Sequence, residues 1–403
     1  MTTRCWLHVS GTLLLASTVG LGADLPKRTG TVQVCTNPTG IAINSLTDQI
    51  FVACSGGSVT IIDGGTKETT TLPVGRSSDP GSFSIAVDST RNRAFVVNRY
   101  DGSVTVLDRT TGESREVVLG FSPGAQVVVN TVSNKIYIAR DFISPHGGQG
   151  FRSIFVIDGS TMTSHEIPVG TVPFGIAVDE TRDRIYVANA GDLLTASNTL
   201  TIIDGATEST RDLVVGNGPT SVAIDPVRDL VAVANFGGYG PASISLVDAS
   251  TLSVTSIPIP TEGDHPHQVV VNSATGKIYV ASDVLSVLEV DEGTLAVKAI
   301  PVSNPVWRLA VNSSTNTVYA IHQTEEAGFG QTAVGHTVSV IDGATHETVK
   351  VQVGVFPQDI QVNQVTDTTW VANTDASTVS VLYGESAMCF PCTRVVPFRP
   401  VTR

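Results

Sequence analysis

The chain has 403 residues, a formal net charge of -13 at pH 7, 41% hydrophobic residues and only 15% charged residues. Its 37 glycines and 20 prolines favour many short strands joined by tight turns and disfavour long helices. The acidic balance argues against a protein that follows nucleic-acid phosphates, because such proteins need a basic surface. The composition therefore predicts an all-β protein and disfavours a nucleic-acid partner, although it does not exclude a local basic patch.

Residues 1–23 have the features of a secretory signal peptide. Arg4 precedes an apolar segment from about Leu13 to Leu21, and small residues follow up to a cleavage site near Ala23. No later stretch approaches the roughly 18 consecutive apolar residues of a membrane-spanning helix, so none is expected after cleavage. The sequence predicts a periplasmic or extracellular protein.

A repeat of about 46 residues fills the rest of the chain. Each copy has an apolar first strand such as "IAVD" at 176–179, a second such as "IYVAN" at 185–189 and a third such as "TLTIIDG" at 199–205. Seven of the eight copies add a more polar fourth strand such as "TTTLPVG" at 69–75. A proline precedes the first strand of every copy, at positions 38, 80, 123, 173, 219, 266, 305 and 357.

The two ends of the repeat array complement each other. The eighth copy lacks a fourth strand, whereas "GTVQVCTNP" at 30–38 matches the end of a copy with no repeat before it. Four-stranded antiparallel units leave exposed edges unless radial repetition closes a ring. Pairing residues 31–35 with the strands of 357–384 predicts a single β-propeller of eight four-stranded blades within residues 24–384. Seven blades result if one degraded copy is excluded from the ring.

The segments "IYVANAGDLLTASNTLTIIDGATEST" and "VSVIDGATHETVKVQVG" resemble the YVTN family of β-propeller repeats, over residues 31–384. The resemblance implies the propeller architecture, although family members are mostly described as seven-bladed. A more remote similarity to propeller lactonases, whose sites use His, Arg and Glu near the central channel, matches no lactonase motif residue for residue. That similarity draws attention to Arg99, Arg140, Arg308 and Glu325.

The most regular residues of the repeat have structural explanations. The aspartate that ends the third strand is expected to accept hydrogen bonds from turn amides, and the glycine after it to tolerate a positive φ. The Asp or Asn that closes the first strand is expected to act in the same way. Aromatic residues of the second strand should fill the space between blades, each stabilising the fold by roughly 2 to 3 kcal/mol. These are Tyr137, Tyr186, Tyr279, Tyr319 and Trp370.

Binding is expected on one face of the ring. Loops between second and third strands emerge there together with the connections to the next blade, and we call this the top face and the opposite one the bottom face. The top-face loops at 140–153, 190–198, 236–243 and 322–337 are enlarged, and variable loops on a rigid scaffold often carry binding. The candidate ligand-binding residues are Arg99, Arg140, His146, Arg152, Tyr239, His265, His267, Arg308, His322, Glu325 and His336.

The segment "EGDHPHQ" at 262–268 leaves three alternatives for its histidines. They can be solvated or locally hydrogen-bonded, they can bind a metal, or one can act as a general base. No two candidate ligands have the spacing of a preformed zinc site. We therefore predict no metal and no cofactor, and assign no catalytic residue.

Four cysteines remain after removal of the signal peptide, and in an oxidising compartment they predict disulfides. Cys35 replaces the Gly of "PVG" and Cys54 the Asn of "YVAN", so both should reach the top of neighbouring blades. A bond between them is the preferred pairing and would hold the ring shut. Cys389 and Cys392 are then left to pair locally. They lie in the proline-rich, basic tail at 385–403, which is either a short extension or a docking segment.

Two main functions stay open at this stage. The first is a secreted or periplasmic, monomeric binding scaffold whose top-face loops hold a protein, a glycan or a cell-envelope partner. The second is a hydrolase or lactonase-like enzyme with His and Arg around the central channel. Converging His, Arg and carboxylate side chains within about 3 Å of one point would favour the enzyme. An aromatic-bearing rim without such a cluster would favour binding.

Overall fold

The computed structural model describes residues 25–26, 29–76, 81–120, 124, 126–140, 150–192, 196–238, 240–260, 264–327 and 331–384. The predicted signal peptide and the tail with Cys389 and Cys392 lie outside these residues. Within the described part, 32 strands form eight four-stranded antiparallel sheets, and no helix occurs.

The first half of the ring comprises β1 and blades 1 to 4. β1 spans Thr29–Gln33. Blade 1 contains β2 (Pro38–Asn44), β3 (Gln49–Cys54), β4 (Ser58–Asp63) and β5 (Thr69–Pro73). Blade 2 contains β6 (Ser82–Asp88), β7 (Arg93–Asn98), β8 (Ser103–Asp108) and β9 (Ser114–Val118). Blade 3 contains β10 (Val127–Asn130), β11 (Lys135–Ile138), β12 (Ser153–Asp158) and β13 (Ser164–Pro168). Blade 4 contains β14 (Pro173–Asp179), β15 (Arg184–Gly191), β16 (Ala196–Asp204) and β17 (Thr210–Val214).

The second half comprises blades 5 to 8. Blade 5 contains β18 (Pro219–Asp225), β19 (Leu230–Asn235), β20 (Ser243–Asp248) and β21 (Val254–Pro258). Blade 6 contains β22 (Pro266–Asn272), β23 (Lys277–Ser282), β24 (Ser286–Asp291) and β25 (Val297–Pro301). Blade 7 contains β26 (Arg308–Asn312), β27 (Thr317–Ala327), β28 (Gln331–Asp342) and β29 (Thr348–Gln352). Blade 8 contains β30 (Pro357–Asn363), β31 (Thr368–Asn373), β32 (Thr378–Tyr383) and the N-terminal β1.

The eight blades close into a ring around their first strands. Each first strand contacts that of the next blade, and β30 contacts β2. β1 pairs antiparallel with β32, from Thr29 opposite Leu382 to Gln33 opposite Thr378. The prediction of eight blades closed by the two chain ends is confirmed, with the closing strand beginning at Thr29 rather than at residue 31.

The hydrophobic core lies between successive blades. Between blades 8 and 1, for example, Trp370 packs in one cluster with Ile41, Ile50 and Val381. The aromatic residues predicted to fill these spaces are all buried, with exposed fractions of 0 to 1%. This confirms their role, because each of these second strands places one large ring where two sheets face each other.

The turns after the third strands follow the prediction for aspartate but not for glycine. Asp204 Oδ1 accepts hydrogen bonds from the backbone amides of Ala206 and Thr207, at 3.2 and 2.8 Å. The glycine prediction was wrong, because the positive φ belongs to Glu208 and not to Gly205. Gly205 is needed for another reason, since a Cβ there would lie 2.2 Å from Asp183 Oδ1.

The residue that closes each first strand also joins its blade to the next one, and we call these contacts the blade latches. Where it is Asn, the amide crosses directly, as Asn363 Nδ2 does to Asp48 Oδ1 at 2.8 Å. Where it is Asp, an arginine three residues later crosses instead, as Arg182 does between Asp179 and Asp229 at 3.2 and 2.5 Å. Blades 1, 3, 6, 7 and 8 use the asparagine form and blades 2, 4 and 5 the arginine form.

At the top face, a polar side chain at the end of the second strand holds the third strand of the same blade. Asn373 Nδ2 donates to Thr378 Oγ1 and Ser380 Oγ, at 3.1 and 3.0 Å, and is fully buried. We call this contact the asparagine clamp. Its other members are Asn98, Asn189 and Asn235.

Replacing Asn373 by Ala is expected to lower the free energy of unfolding by about 1 to 3 kcal/mol, because two buried hydroxyl groups lose their donor. Urea unfolding measures the change. Asn198→Ala is the matched control, because Asn198 is exposed on the same face. A loss no larger than that of the control would contradict the clamp.

Candidate functional site

A cavity of ≈ 200 Å³ opens in the central channel between the first strands of blades 7, 8, 1, 2 and 3. Most of its lining residues belong to the beginnings of these strands, which place the cavity near the top face. We call it the channel cavity. Its polar lining residues are Thr39, Ser84, Gln126, Arg308, Asp359 and Gln361. Arg308 and Asp359 are the two charged residues of this lining.

We call the residue directly before the apolar quartet of each first strand the linking position; it is Gly in blades 1 and 4 and Ser in blade 2. In blades 3, 5, 6 and 8 its side chain accepts a hydrogen bond from a backbone amide of the next blade. The pairs are Gln126 with Ile176, Ser221 with Val269, Gln268 with Leu309 and Asp359 with Ile41, at 3.1, 3.2, 2.7 and 2.8 Å. Blade 7 has Arg308 at this position, and a guanidinium cannot accept a hydrogen bond.

Arg308 and Asp359 face each other without a direct hydrogen bond. Arg308 Nε lies 4.0 Å from Asp359 Oδ1, and no described residue accepts a hydrogen bond from Nε. Burial raises the pKa of Asp359, although Arg308 and the amides of Ile41 and Ile360 oppose the rise. The space between the two groups is therefore suited to a third polar group.

Gln361 is a second departure from the repeat. The equivalent residue is Ala or Val in the other seven first strands, at positions 42, 86, 128, 177, 223, 270 and 310. Gln361 and Arg308 come from adjacent blades and line the same cavity. Because local departures from a structural rule are expected at functional sites, their convergence marks the channel cavity as the candidate site.

Three side chains with aromatic rings, from blades 4, 6 and 7, lie at the starts of the first strands of these blades. Phe174 and Trp307, each directly before the linking position of its blade, are 37% and 40% exposed. His267 holds the same position in blade 6, and its ring centroid lies 6.1 Å from that of Trp307. Burial lowers the pKa of His267. We call Phe174, His267 and Trp307 the channel rim.

The other histidine of "EGDHPHQ" is held locally. The ring of His265 stacks on Phe236 with centroids 4.6 Å apart, and its Nδ1 lies 2.8 Å from the Phe236 carbonyl oxygen. Asp264 beside it is 1% exposed, and neither carboxylate oxygen has a hydrogen-bond partner in the described part of the chain. Burial raises the pKa of Asp264. Among the described residues, no three His, Cys, Asp or Glu side chains gather as metal ligands.

Two predicted ligand-binding residues serve instead as strand clamps. His322 is fully buried, with Nε2 2.8 Å from Ser339 Oγ and Nδ1 2.9 Å from the Pro305 carbonyl oxygen. Arg140 is 6% exposed and donates through Nη1 to Ser153 Oγ and Glu166 Oε2, both at 3.0 Å. They take the place of the clamp asparagine in blades 7 and 3.

The remaining candidates are spread over the top face. Arg99 is partly buried after β7, Arg152 is exposed before β12, and His336 lies within β28. Residues His146 and Tyr239, and the side chain of Glu325, lie outside the described part. Among the candidates that the structure describes, Arg308 lines the channel cavity and His267 belongs to the channel rim.

Two of the enlarged loops are hairpins. The loop prediction for 190–198 and 322–337 was wrong, because β15 and β16 pair as far as Gly191 opposite Ala196. β27 and β28 likewise pair as far as Ala327 opposite Gln331. Strand pairing continues there because each extension satisfies the backbone hydrogen bonds of the other.

Sequence reasoning missed Asp359, Gln361, Gln126, Phe174 and Trp307. Three of them lie in first strands, and Gln126 and Trp307 directly precede first strands. These strands were considered structural, and a site was expected on the loops. Alignment of the residue before each apolar quartet would have shown Arg308 and Asp359 as neighbours in successive copies.

No protein-family model matches the sequence, and no curated protein matches it. Among solved structures, a chain of the hydrazine synthase of Kuenenia stuttgartiensis is similar, with a TM-score of 0.58 and 15% identity. The similarity covers 92% of this chain and 99% of that chain. At this identity it shows the fold alone, and the class of protein that it supports is the β-propeller, with eight blades in this chain. The described residues include no helix long and apolar enough to span a membrane.

Proposed function

We propose that this is a binding propeller of the YVTN type, which works outside the cytoplasm and holds a protein, glycan or cell-envelope partner at its top face. The observation that carries the proposal is the channel rim. Trp307, directly before Arg308, and Phe174 in blade 4 are partly exposed at the starts of their first strands, and Arg308 lines the channel cavity together with Asp359. Aromatic side chains next to an arginine are typical of the centres of binding surfaces.

The distribution of the other candidates supports binding over catalysis. His322 and Arg140 hold strands inside their blades, and His265 is engaged with Phe236. These three candidates thus have separate structural contacts. An extracytoplasmic location is supported by the signal-peptide pattern and by the Cys35–Cys54 disulfide, since such bonds persist in oxidising compartments.

A photo-crosslinking residue placed at position 307 is expected to yield a covalent adduct in the native cells, because the proposed partner covers the channel rim. The same residue at position 46 is the control. Leu46 is 72% exposed in a bottom-face turn, so its accessibility is at least as high. Electrophoresis of the purified chain after irradiation measures the adduct.

An adduct at position 46 but not at 307 would contradict the proposed orientation. The second candidate function, a hydrolase, is favoured by one observation, the raised pKa of Asp359 beside Arg308. Such a carboxyl group can move a proton while the guanidinium stabilises an oxyanion. If the purified protein hydrolyses a lactone or an ester and the Asp359→Asn variant does not, the hydrolase function is favoured over the binding function.

A further inference from the structure

We propose that the channel cavity binds a small organic carboxylate that carries a neighbouring hydroxyl or ammonium group. The ligand carboxylate contacts Arg308, and the hydroxyl or ammonium group donates to Asp359. The inference rests on the proposed binding function and names the class of ligand for its charged centre.

The first support is the position of Arg308. Blades 3, 5, 6 and 8 have an acceptor at this position that bonds to the next blade, blades 1 and 4 have glycine, and blade 7 has an arginine, which cannot make the bond. In exchange it places a guanidinium in the cavity, with Nε facing no acceptor in the described part of the chain. Guanidinium groups bind carboxylates through two parallel hydrogen bonds, which gives both strength and orientation.

The second support is the charge balance. The 4.0 Å separation of Arg308 Nε and Asp359 Oδ1 leaves both groups without a direct bond to each other. A phosphate would meet the Asp359 carboxylate at close range, and a simple cation would meet Arg308, so like charges oppose both. A carboxylate with an adjacent donor satisfies the two groups together.

The third support is the rest of the lining. Gln361 provides an amide that can donate and accept, in a position where the other blades carry Ala or Val. Ile41, Ile85 and Val127 form an apolar wall. The cavity of ≈ 200 Å³ corresponds to about seven waters. A ligand of roughly six non-hydrogen atoms, such as lactate, fits and should bind with a Kd of about 1 mM.

The probes are L-lactate and glycine, each compared with its amide, lactamide or glycinamide, at concentrations up to about 10 mM, well above the expected Kd. Binding to the purified protein is measured by saturation-transfer NMR and by the emission of Trp307, which directly precedes Arg308. The Trp307→Phe variant shows how much of the tryptophan emission comes from Trp307. The variants are Arg308→Gln and, as a matched control, Arg211→Gln on the exposed outer strand of blade 4.

Both acids are expected to bind the wild-type protein and the Arg211→Gln variant with similar affinity. The amides and Arg308→Gln should bind at least about tenfold more weakly, since a charged hydrogen-bonded pair is lost. Arg308→Lys, which keeps the charge but not the two-pronged geometry, should fall between them. Asp359→Asn should weaken glycine more than lactate, because only the ammonium group loses an opposite charge.

The proposal is overturned if neither acid binds the wild-type protein, if the amides bind as well as the acids, or if Arg308→Gln and Arg308→Lys both bind like the wild type. Thermal unfolding of each variant shows that the fold is retained. If position 307 gives no crosslink but lactate binds normally, the proposed partner is contradicted and the channel site is retained. A crosslink at position 307 without lactate binding would contradict the channel site and leave the proposed partner.

Discussion

Replacing Glu292 by Gln is expected to stabilise the protein by about 2 to 4 kcal/mol at pH 8 and by much less at pH 5. The Glu292 side chain is 1% exposed on the bottom face, and neither carboxylate oxygen has a hydrogen-bond partner in the described part. Burial, followed by the neighbouring carboxyl of Asp225, raises the pKa of Glu292 to about 8, although Arg228 at 3.6 Å opposes the rise.

The sign of the pH dependence follows from that shift. The folded protein keeps a proton on Glu292 up to about pH 8, whereas the unfolded chain releases it near the usual value of 4.5. The unfolded state therefore binds fewer protons between these two values, and stability falls as the pH rises through this window. Glutamine has the shape of the protonated acid and does not ionise, so it removes the loss.

Urea unfolding of the wild type and of Glu292→Gln at several pH values from 5 to 8 measures the effect. Glu347→Gln serves as the control, because Glu347 is exposed on the same face. If Glu292→Gln and the wild type lose stability equally as the pH rises, Glu292 is not the source of the pH dependence.

The repeat itself explains how Glu292 came to be buried. In the turn after the first strand, the other seven blades carry Asn or Asp, and blade 6 has Gly276. A Cβ on Gly276 would lie 2.7 Å from the Arg228 guanidinium, so the small residue admits the latch arginine of blade 5. Glu292, at a position that is Gly in five blades, reaches the same arginine.

The second large effect is expected at the joint where the ring closes. The double substitution Cys35→Gly with Cys54→Asn should lower the free energy of unfolding by about 3 kcal/mol, the value of a short disulfide loop, and leave the protein folded. The Cys35–Cys54 bond confirms the predicted pairing, with a Cα–Cα distance of 5.9 Å. At other joints a glycine touches the clamp asparagine instead, as Gly354 does with Asn373, where a Cβ would lie 2.6 Å from the amide carbon.

The double variant therefore recreates between blades 8 and 1 the contact of glycine with clamp asparagine that other pairs of blades have. Cys54→Ala alone removes the bond and supplies no amide for Ser58 and Thr60, so it should be less stable than the double variant. Urea unfolding with and without a reducing agent measures both. A double variant less stable than Cys54→Ala would show that the asparagine clamp is not transferable to blade 1.

Much of the fold could be predicted because the repeat carries it in every copy. The number of blades followed from counting strands, and the closure followed from an unmatched strand at one end and a missing one at the other. The disulfide followed from two cysteines that replace the two residues in contact at other joints. The blade latch between Asn363 and Asp48 could not be predicted in this way, because the two residues are far apart in the chain and meet only in the closed ring.

The candidate site was harder to predict. The sequence ending "IYIAR" at Arg140 and "VYAIH" at His322 shows that both replace the clamp asparagine, yet their chemistry suggested ligands. Asp359 and Gln361 were overlooked because they lie in a first strand, whereas a site was expected on the loops. The channel cavity exists only where five first strands converge, so no single repeat contains its chemistry.

The pairing of β1 with β32 has a consequence for the order of assembly. β32 follows the strands of the other seven blades in the chain, so blade 8 stays incomplete until those blades have been synthesised. Cys35 and Cys54 are both made early, and their bond can hold the N-terminal segment beside blade 1 while the later blades fold. When β30, β31 and β32 form, β1 is already held beside blade 1. The pairing of β32 with β1 then costs less conformational entropy than it would if β1 were unattached.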